Sequence, residues 1–228
     1  MSKNSIVLIT GGTGNVGVEV TRFLLKRGHK IYCTYIVKKE LDNFNNKEKQ
    51  DINFIYCNLT SKSSSQECID TITNKEAKLD VLINLVGGFQ YKEFAESTLD
   101  DAIQMMNINY FSVFNICNLS IKALSKSDNP KIINMGAVAG EVGYKNMSAY
   151  SASKAALINL SKTLSKELEA LKIKVTCILP NTIDTKANRD SMPNEDHSKW
   201  VRTSKISSII SDLTLESSTS LDLNLIKL

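Results

Sequence analysis

The five cysteines, Cys33, Cys57, Cys68, Cys117 and Cys177, are odd in number, lie far apart and form no C-x-x-C pair. That spacing argues against a zinc site or a disulfide framework and suits a reducing compartment, with the thiols acting as small buried hydrophobes. No apolar run approaches the roughly 18 residues of a membrane span. The chain passes from MSKN directly into a strand-like run, without a cationic leader or cleavage site, so a cytoplasmic location is expected. The lysines are scattered rather than blocked and the net charge is only +4, which indicates neither nucleic acid nor a membrane surface. Histidine is scarce: His29 closes a helix–strand turn and His197 lies in a polar run, and both read as surface residues rather than catalysts. There is no linker, low-complexity tract or internal repeat, so 1–228 reads as a single domain.

What is present is ordinary for a soluble globular chain: 228 residues, 42% apolar and 23% charged. Short apolar runs alternate with longer amphipathic ones. Strands are expected at 5–9, 30–35, 52–56, 81–86, 131–135 and 173–179, and a polar segment fills 38–50. Helices are expected at about 15–27, 61–77, 99–125 and 147–171, the last carrying Leu157, Leu160, Leu164 and Leu168 at helical spacing. Strands alternating with helices mean βαβ units. The fold class is therefore α/β, a Rossmann-type doubly wound, mostly parallel sheet with helices on both faces. In the last stretch, 196–213 reads as a helix and 220–228 alternates as a final edge strand.

Thr10-Gly11-Gly12-Thr13-Gly14-Asn15-Val16-Gly17 follows the first strand and opens a helix. Glycines at 11, 14 and 17 allow a tight turn, close approach of backbone to a diphosphate, and close helix–strand packing. The free N–H groups at the helix end then meet the anion, which points to a dinucleotide. The acid that usually bonds the adenosine ribose is missing from the end of strand two, where Thr34, Tyr35 and Ile36 stand. Lys38 and Lys39 just beyond suit a 2′-phosphate, so NADP is expected, with NAD the alternative.

Tyr150-Ser151-Ala152-Ser153-Lys154 opens a helical segment. Residues four apart share a helix face, so phenol and ammonium point into one space. A nearby cation is expected to lower the phenol's pKa.

With these pieces in order, the whole chain resembles the short-chain dehydrogenase/reductase family. The matching residues are the glycine turn, Asn58-Leu59-Thr60, Asn84-Leu85-Val86-Gly87, Asn109, the Tyr150/Lys154 pair and Pro180 to Thr185 with Thr182 and Ile183. The resemblance implies that Asn84 supports the sheet beside the cofactor and that Asn58 contacts the adenine. It also implies that Asn109 holds a water joining Lys154 to a proton relay, and that the segment after Pro180 covers the nicotinamide. Asn188-Arg189, Ser191-Met192-Pro193, Asp196, Ser198 and Trp200, with Gly87-Gly88-Phe89, narrow the resemblance to the dihydropteridine reductase branch. The family usually places a serine thirteen residues before the tyrosine to hold the substrate carbonyl, and here that position is Ala137.

Hydride transfer to a conjugated imine or quinonoid acceptor is therefore expected, with Tyr150 as proton donor and a wall formed by Phe89, Ala137, Asn188 and Trp200. Two rivals stand beside it: a general carbonyl reductase, and a nucleotide-sensing protein that has lost turnover. The partner is a small-molecule substrate. The resemblance further implies a homodimer or homotetramer built on the two long helices.

Overall fold

The computed structural model describes residues 4–215 and 225–228. The elements run β1 (Ile6–Thr10), α1 (Gly17–Lys26), β2 (Lys30–Tyr35), a 3-10 helix (Lys38–Asn43), α2 (Asn46–Asp51), β3 (Ile52–Tyr56), α3 (Lys62–Glu76) and β4 (Val81–Asn84). There follow α4 (Leu99–Met106), α5 (Ser112–Leu124), β5 (Lys131–Met135), α6 (Ala139–Val142), α7 (Ser148–Glu167) and β6 (Lys174–Leu179). The last part holds β7 (Ile183–Asp184), α8 (Lys186–Ser191), β8 (Val201–Arg202), α9 (Thr203–Thr214) and β9 (Leu225–Lys227).

Among the described residues seven strands form one sheet in the order β3-β2-β1-β4-β5-β6-β9. Every neighbouring pair in it is parallel. The strands are mostly apolar because helices cover both faces. Alternate residues serve opposite layers. Leu8, Leu82, Ile132 and Val175 pack with Ile69 of α3, Ile116 of α5 and Leu157 of α7. Val7, Ile9, Ile83 and Ile178 pack with Leu24 of α1 and Ile206 and Ile210 of α9. The order reverses between β1 and β4, and in such sheets ligands bind beyond the strand ends at that crossing.

A polar ladder crosses the sheet at the same level. Thr10, Asn84 and Asn134 are register partners on β1, β4 and β5. Thr10 Oγ1 donates to Asn84 Oδ1, Asn84 Nδ2 donates to Asn134 Oδ1 at 2.8 Å, and Asn134 Nδ2 donates to Ser161 Oγ of α7 at 2.9 Å. These side chains are buried, so each depends on its neighbour for satisfaction. Asn134→Ala is expected to leave Asn84 and Ser161 short of a partner and to cost about 1–3 kcal/mol, measured by denaturant unfolding.

Three expectations need correction. The helix expected over 99–125 is broken by a π-helical turn at Asn107–Phe111. His29 is buried, at 4% exposure, because the α1–β2 turn tucks it between the strand starts. Burial and the neighbouring Arg27 both lower its pKa. The C-terminal stretch splits into β8 and α9, and β9 joins β6 at the sheet edge, while 220–224 of the expected final strand lies outside the described residues. Among the described residues no helix is long and apolar enough to cross a membrane.

Candidate active site

The glycine turn joins β1 to α1. Gly11 has φ +65°, a conformation that side chains disfavour, and its N–H donates to Thr34 Oγ1 of β2. A Cβ at Gly17 would lie 2.1 Å from the Gly11 carbonyl oxygen, so only glycine lets α1 start that close to the turn. Among the described residues no side chain caps the start of α1. Its leading N–H groups and positive dipole end therefore suit a diphosphate, and this is the feature of the fold that fits a dinucleotide.

A cavity of about 360 Å³ opens beside that helix end. Asn15 and Val16 come from the turn, Gly87, Gly88 and Phe89 from the loop after β4, and Met135, Gly136 and Ala137 from the end of β5. Tyr150 and Lys154 project from α7, while Pro180, Thr182, Ile183 and Asn188 close the side after β6. The structure thus brings the expected Tyr150/Lys154 pair, Gly87, Phe89, Ala137 and the post-Pro180 segment into one space.

Lys154 is buried, and its Nζ donates to the Met135 carbonyl at 2.9 Å. Desolvation draws its pKa down to about 8, partly offset by the nearby Cys177 thiol. The expected lowering of the phenol is not what the fold gives: burial pushes Tyr150 up to about 12. Loss of water around the ring is the cause. The ring of Phe89 meets that of Tyr150 edge-on, with centroids 5.0 Å apart.

Asn109 sits in the π-helical turn, fully buried. Its Oδ1 accepts from Gly88 N at 2.9 Å, and its Nδ2 donates to Gly88 O and to Ser153 Oγ. Ser153 in turn donates to the Tyr150 carbonyl. The extra residue of a π turn re-aims a side chain, and here it turns the amide onto the Gly87–Gly88 loop. The loop is pinned further out by Asp101, which receives Gln90 Nε2 and Lys92 Nζ. These charge-assisted bonds hold the Asp101 carboxyl well below its usual range.

Other expected residues lie elsewhere. Asn84 belongs to the sheet ladder, and Val86 packs against the core, with its backbone against Gly11. Leu59 is core, while Asn58 Oδ1 accepts from Thr60 N and Thr60 Oγ1. Tyr35 packs edge-on to Tyr56. Lys38 and Lys39 line a separate depression with Leu41, Asp42, Lys49 and Phe54. Trp200 is absent from the cavity wall and lies against His197, ring centroids 4.3 Å apart. Thr13 is buried, with its hydroxyl on the Glu40 carboxylate at 2.5 Å.

Sequence reasoning missed Tyr144 and Met147 in the cavity wall, because nothing in their spacing sets them apart, while Met192 falls within the 188–200 segment expected there. It also missed Ser153, which lay in plain view inside the Tyr-x-x-x-Lys pattern.

The chain is 27% identical over 187 residues to the 3-oxoacyl-(acyl-carrier-protein) reductase FabG of Thermotoga maritima, covering 80% of this chain and 76% of that protein. It is 28% identical over 206 residues to the 7alpha-hydroxysteroid dehydrogenase of Bacteroides fragilis, covering 85% and 77%. The solved structure of ElxO with NADP bound shares the fold, with a TM-score of 0.89 at 24% identity over 100% of this chain and 97% of that one. The short chain dehydrogenase family model matches residues 5–196. The chain therefore belongs to the short-chain dehydrogenase family and is an NAD(P)-dependent oxidoreductase.

Proposed function

We propose that this enzyme reduces a flat, conjugated acceptor, an imine or quinonoid of the dihydropteridine kind, with Tyr150 delivering the proton. The observation that carries this reading is Ala137, buried in the cavity wall where a hydroxyl would otherwise hold a carbonyl oxygen. An isolated ketone deprived of such a donor loses on the order of 3 kcal/mol of transition-state stabilisation. A conjugated acceptor spreads the developing charge over its own atoms and needs the donor less. Phe89, Tyr144, Met147 and Met192 offer it an aromatic and apolar wall.

In this reading Gly11, Thr13, Gly14, Asn15, Val16 and Gly17 hold the diphosphate, Asn58 meets the adenine, and Gly87, Pro180, Thr182 and Ile183 surround the nicotinamide. When bound, the dinucleotide supplies the hydride. Tyr150 gives its hydroxyl proton to the acceptor, and the ammonium of Lys154 stabilises the phenolate left behind. A phenol near 12 is protonated at neutral pH, as a donor for reduction must be. Asn109 positions the Gly87–Gly88 loop, and its backbone carbonyl takes the water-holding part, because its amide is committed to Gly88 and Ser153. The exposed Phe111 and Phe114 beside the π turn support a homodimer across α4 and α5.

A second reading, a reductase of isolated carbonyls, is favoured by Tyr144. Its ring lines the same cavity, and among the described residues its hydroxyl has no hydrogen-bond partner. A panel of quinonoid pterins, quinones and simple ketones separates the two. Conjugated acceptors should turn over about tenfold or more faster than ketones, and Ala137→Ser should narrow that gap. Efficient ketone turnover that collapses in Tyr144→Phe hands the site to the second reading.

The pH dependence follows from the same pair. Both groups are protonated at neutral pH, so kcat/KM for reduction should be flat there and fall as pH rises through about 8, where Lys154 loses its proton. The residual activity of Lys154→Met should lack that falling limb in a pH–rate profile.

A further inference from the structure

The segment after β2 is expected from sequence to offer lysines to the cofactor, and its geometry also brings a carboxylate to the glycine turn. A 3-10 helix has three residues per turn, so residues three apart eclipse each other. Within Lys38–Asn43 this pairs Lys38 with Leu41, Lys39 with Asp42, and Glu40 with Asn43. The first two pairs line the outer depression with Lys49 and Phe54. The third pair faces the glycine turn. Thr13 Oγ1 donates to Glu40 Oε2 at 2.5 Å, and Asn43 Nδ2 donates to the Thr13 carbonyl at 3.1 Å. Arg22 of α1 fastens the segment in place, donating to Asn43 O at 2.6 Å and to both oxygens of Glu48, with its guanidinium over the buried Phe44 ring.

We propose that Glu40 reads the 2′ position of the adenosine ribose and makes the enzyme selective for the dinucleotide that carries no 2′-phosphate. The inference rests on the reading that a dinucleotide lies along the glycine turn with its nicotinamide beside Tyr150. The Tyr150 cavity lies at the ends of β4, β5 and β6. The adenosine half must then run the other way from the diphosphate, over the ends of β2 and β3. Glu40 stands on that side of the turn. One carboxylate oxygen is committed to Thr13, and among the described residues Oε1 has no hydrogen-bond partner. It accepts from a ribose hydroxyl and repels a phosphate placed there. The acid missing from the strand end is thus supplied five residues beyond Tyr35, from the next element.

The test is a fluorescence titration of the whole protein with NADH and with NADPH, which reads binding without turnover. Unmodified protein should bind NADH about tenfold or more tightly than NADPH, and AMP should displace NADH where adenosine 2′,5′-bisphosphate does not. Glu40→Gln keeps an acceptor for Thr13 and removes the charge, so NADPH should tighten toward parity while NADH changes little. Lys38→Ala should leave the ratio unmoved. Preference for NADPH in the unmodified protein, or a ratio unchanged in a folded Glu40→Gln variant, overturns the assignment. The displacement arm uses only the unmodified protein and stands even where the variant fails to fold. If neither dinucleotide binds, the reading beneath the proposal fails as well, whereas binding without selectivity overturns Glu40 alone.

Discussion

Tyr150→Phe should lower turnover by about 10²- to 10⁴-fold while leaving dinucleotide affinity nearly unchanged. The substitution removes one oxygen and keeps the ring, so the edge-on contact with Phe89, centroids 5.0 Å apart, survives. What disappears is a proton donor that burial keeps in its acid form, with a pKa of about 12. Lys154 remains fixed on the Met135 carbonyl, since that bond does not involve the phenol. Steady-state kinetics and a dinucleotide titration on the same preparation separate chemistry from binding. Turnover equal to that of the unmodified enzyme would remove Tyr150 from the mechanism.

Gly17→Ala should produce the second large effect, this time on binding. Its new methyl would stand 2.1 Å from the Gly11 oxygen and 2.6 Å from the Gly12 Cα, atoms of the turn backbone that have no rotamer to escape into. Either α1 shifts away or the turn opens, and both misplace the N–H groups at the helix end. Overpacking of this kind costs about 1–3 kcal/mol of stability. Dinucleotide affinity should fall by about tenfold or more, because the anion contacts come from that backbone. Gly14→Ala is the control: a Cβ there meets only the Gly11 oxygen, at an ordinary 3.4 Å, so thermal melting should be unaffected. Equal losses in both variants would mean that close packing at residue 17 is not what shapes the turn.

The parts of the molecule that were legible in sequence are those where local pattern and tertiary environment agree. Val81 to Ile83 reads as a strand because a doubly covered parallel strand is apolar throughout, and it is buried. The glycine turn and the Tyr150/Lys154 pair were legible because backbone sterics and helical spacing fix them within a few residues. The π turn at Asn107–Phe111 was not, since Asn-Ile-Asn-Tyr-Phe has no composition that separates it from an ordinary helix. Lys38 and Lys39 are a related case. Their charge is visible in the sequence, while the threefold winding that turns them outward and Glu40 inward is not. The phenol's pKa depends on how much water the fold removes, a property of packed neighbours rather than of spacing. Trp200 is expected in the wall from the family resemblance, yet it is absent from the cavity lining and its indole meets His197.

The decisive measurement is the mass of the product formed from a reduced dinucleotide carrying deuterium at both nicotinamide C4 positions, with a C=N or C=O acceptor that the unmodified enzyme turns over, where the hydride lands on carbon and does not exchange. Direct transfer inside the Tyr150 cavity requires one deuterium per product molecule, the second added hydrogen coming from solvent through the phenol. A product labelled only from solvent would contradict a hydride-transferring site.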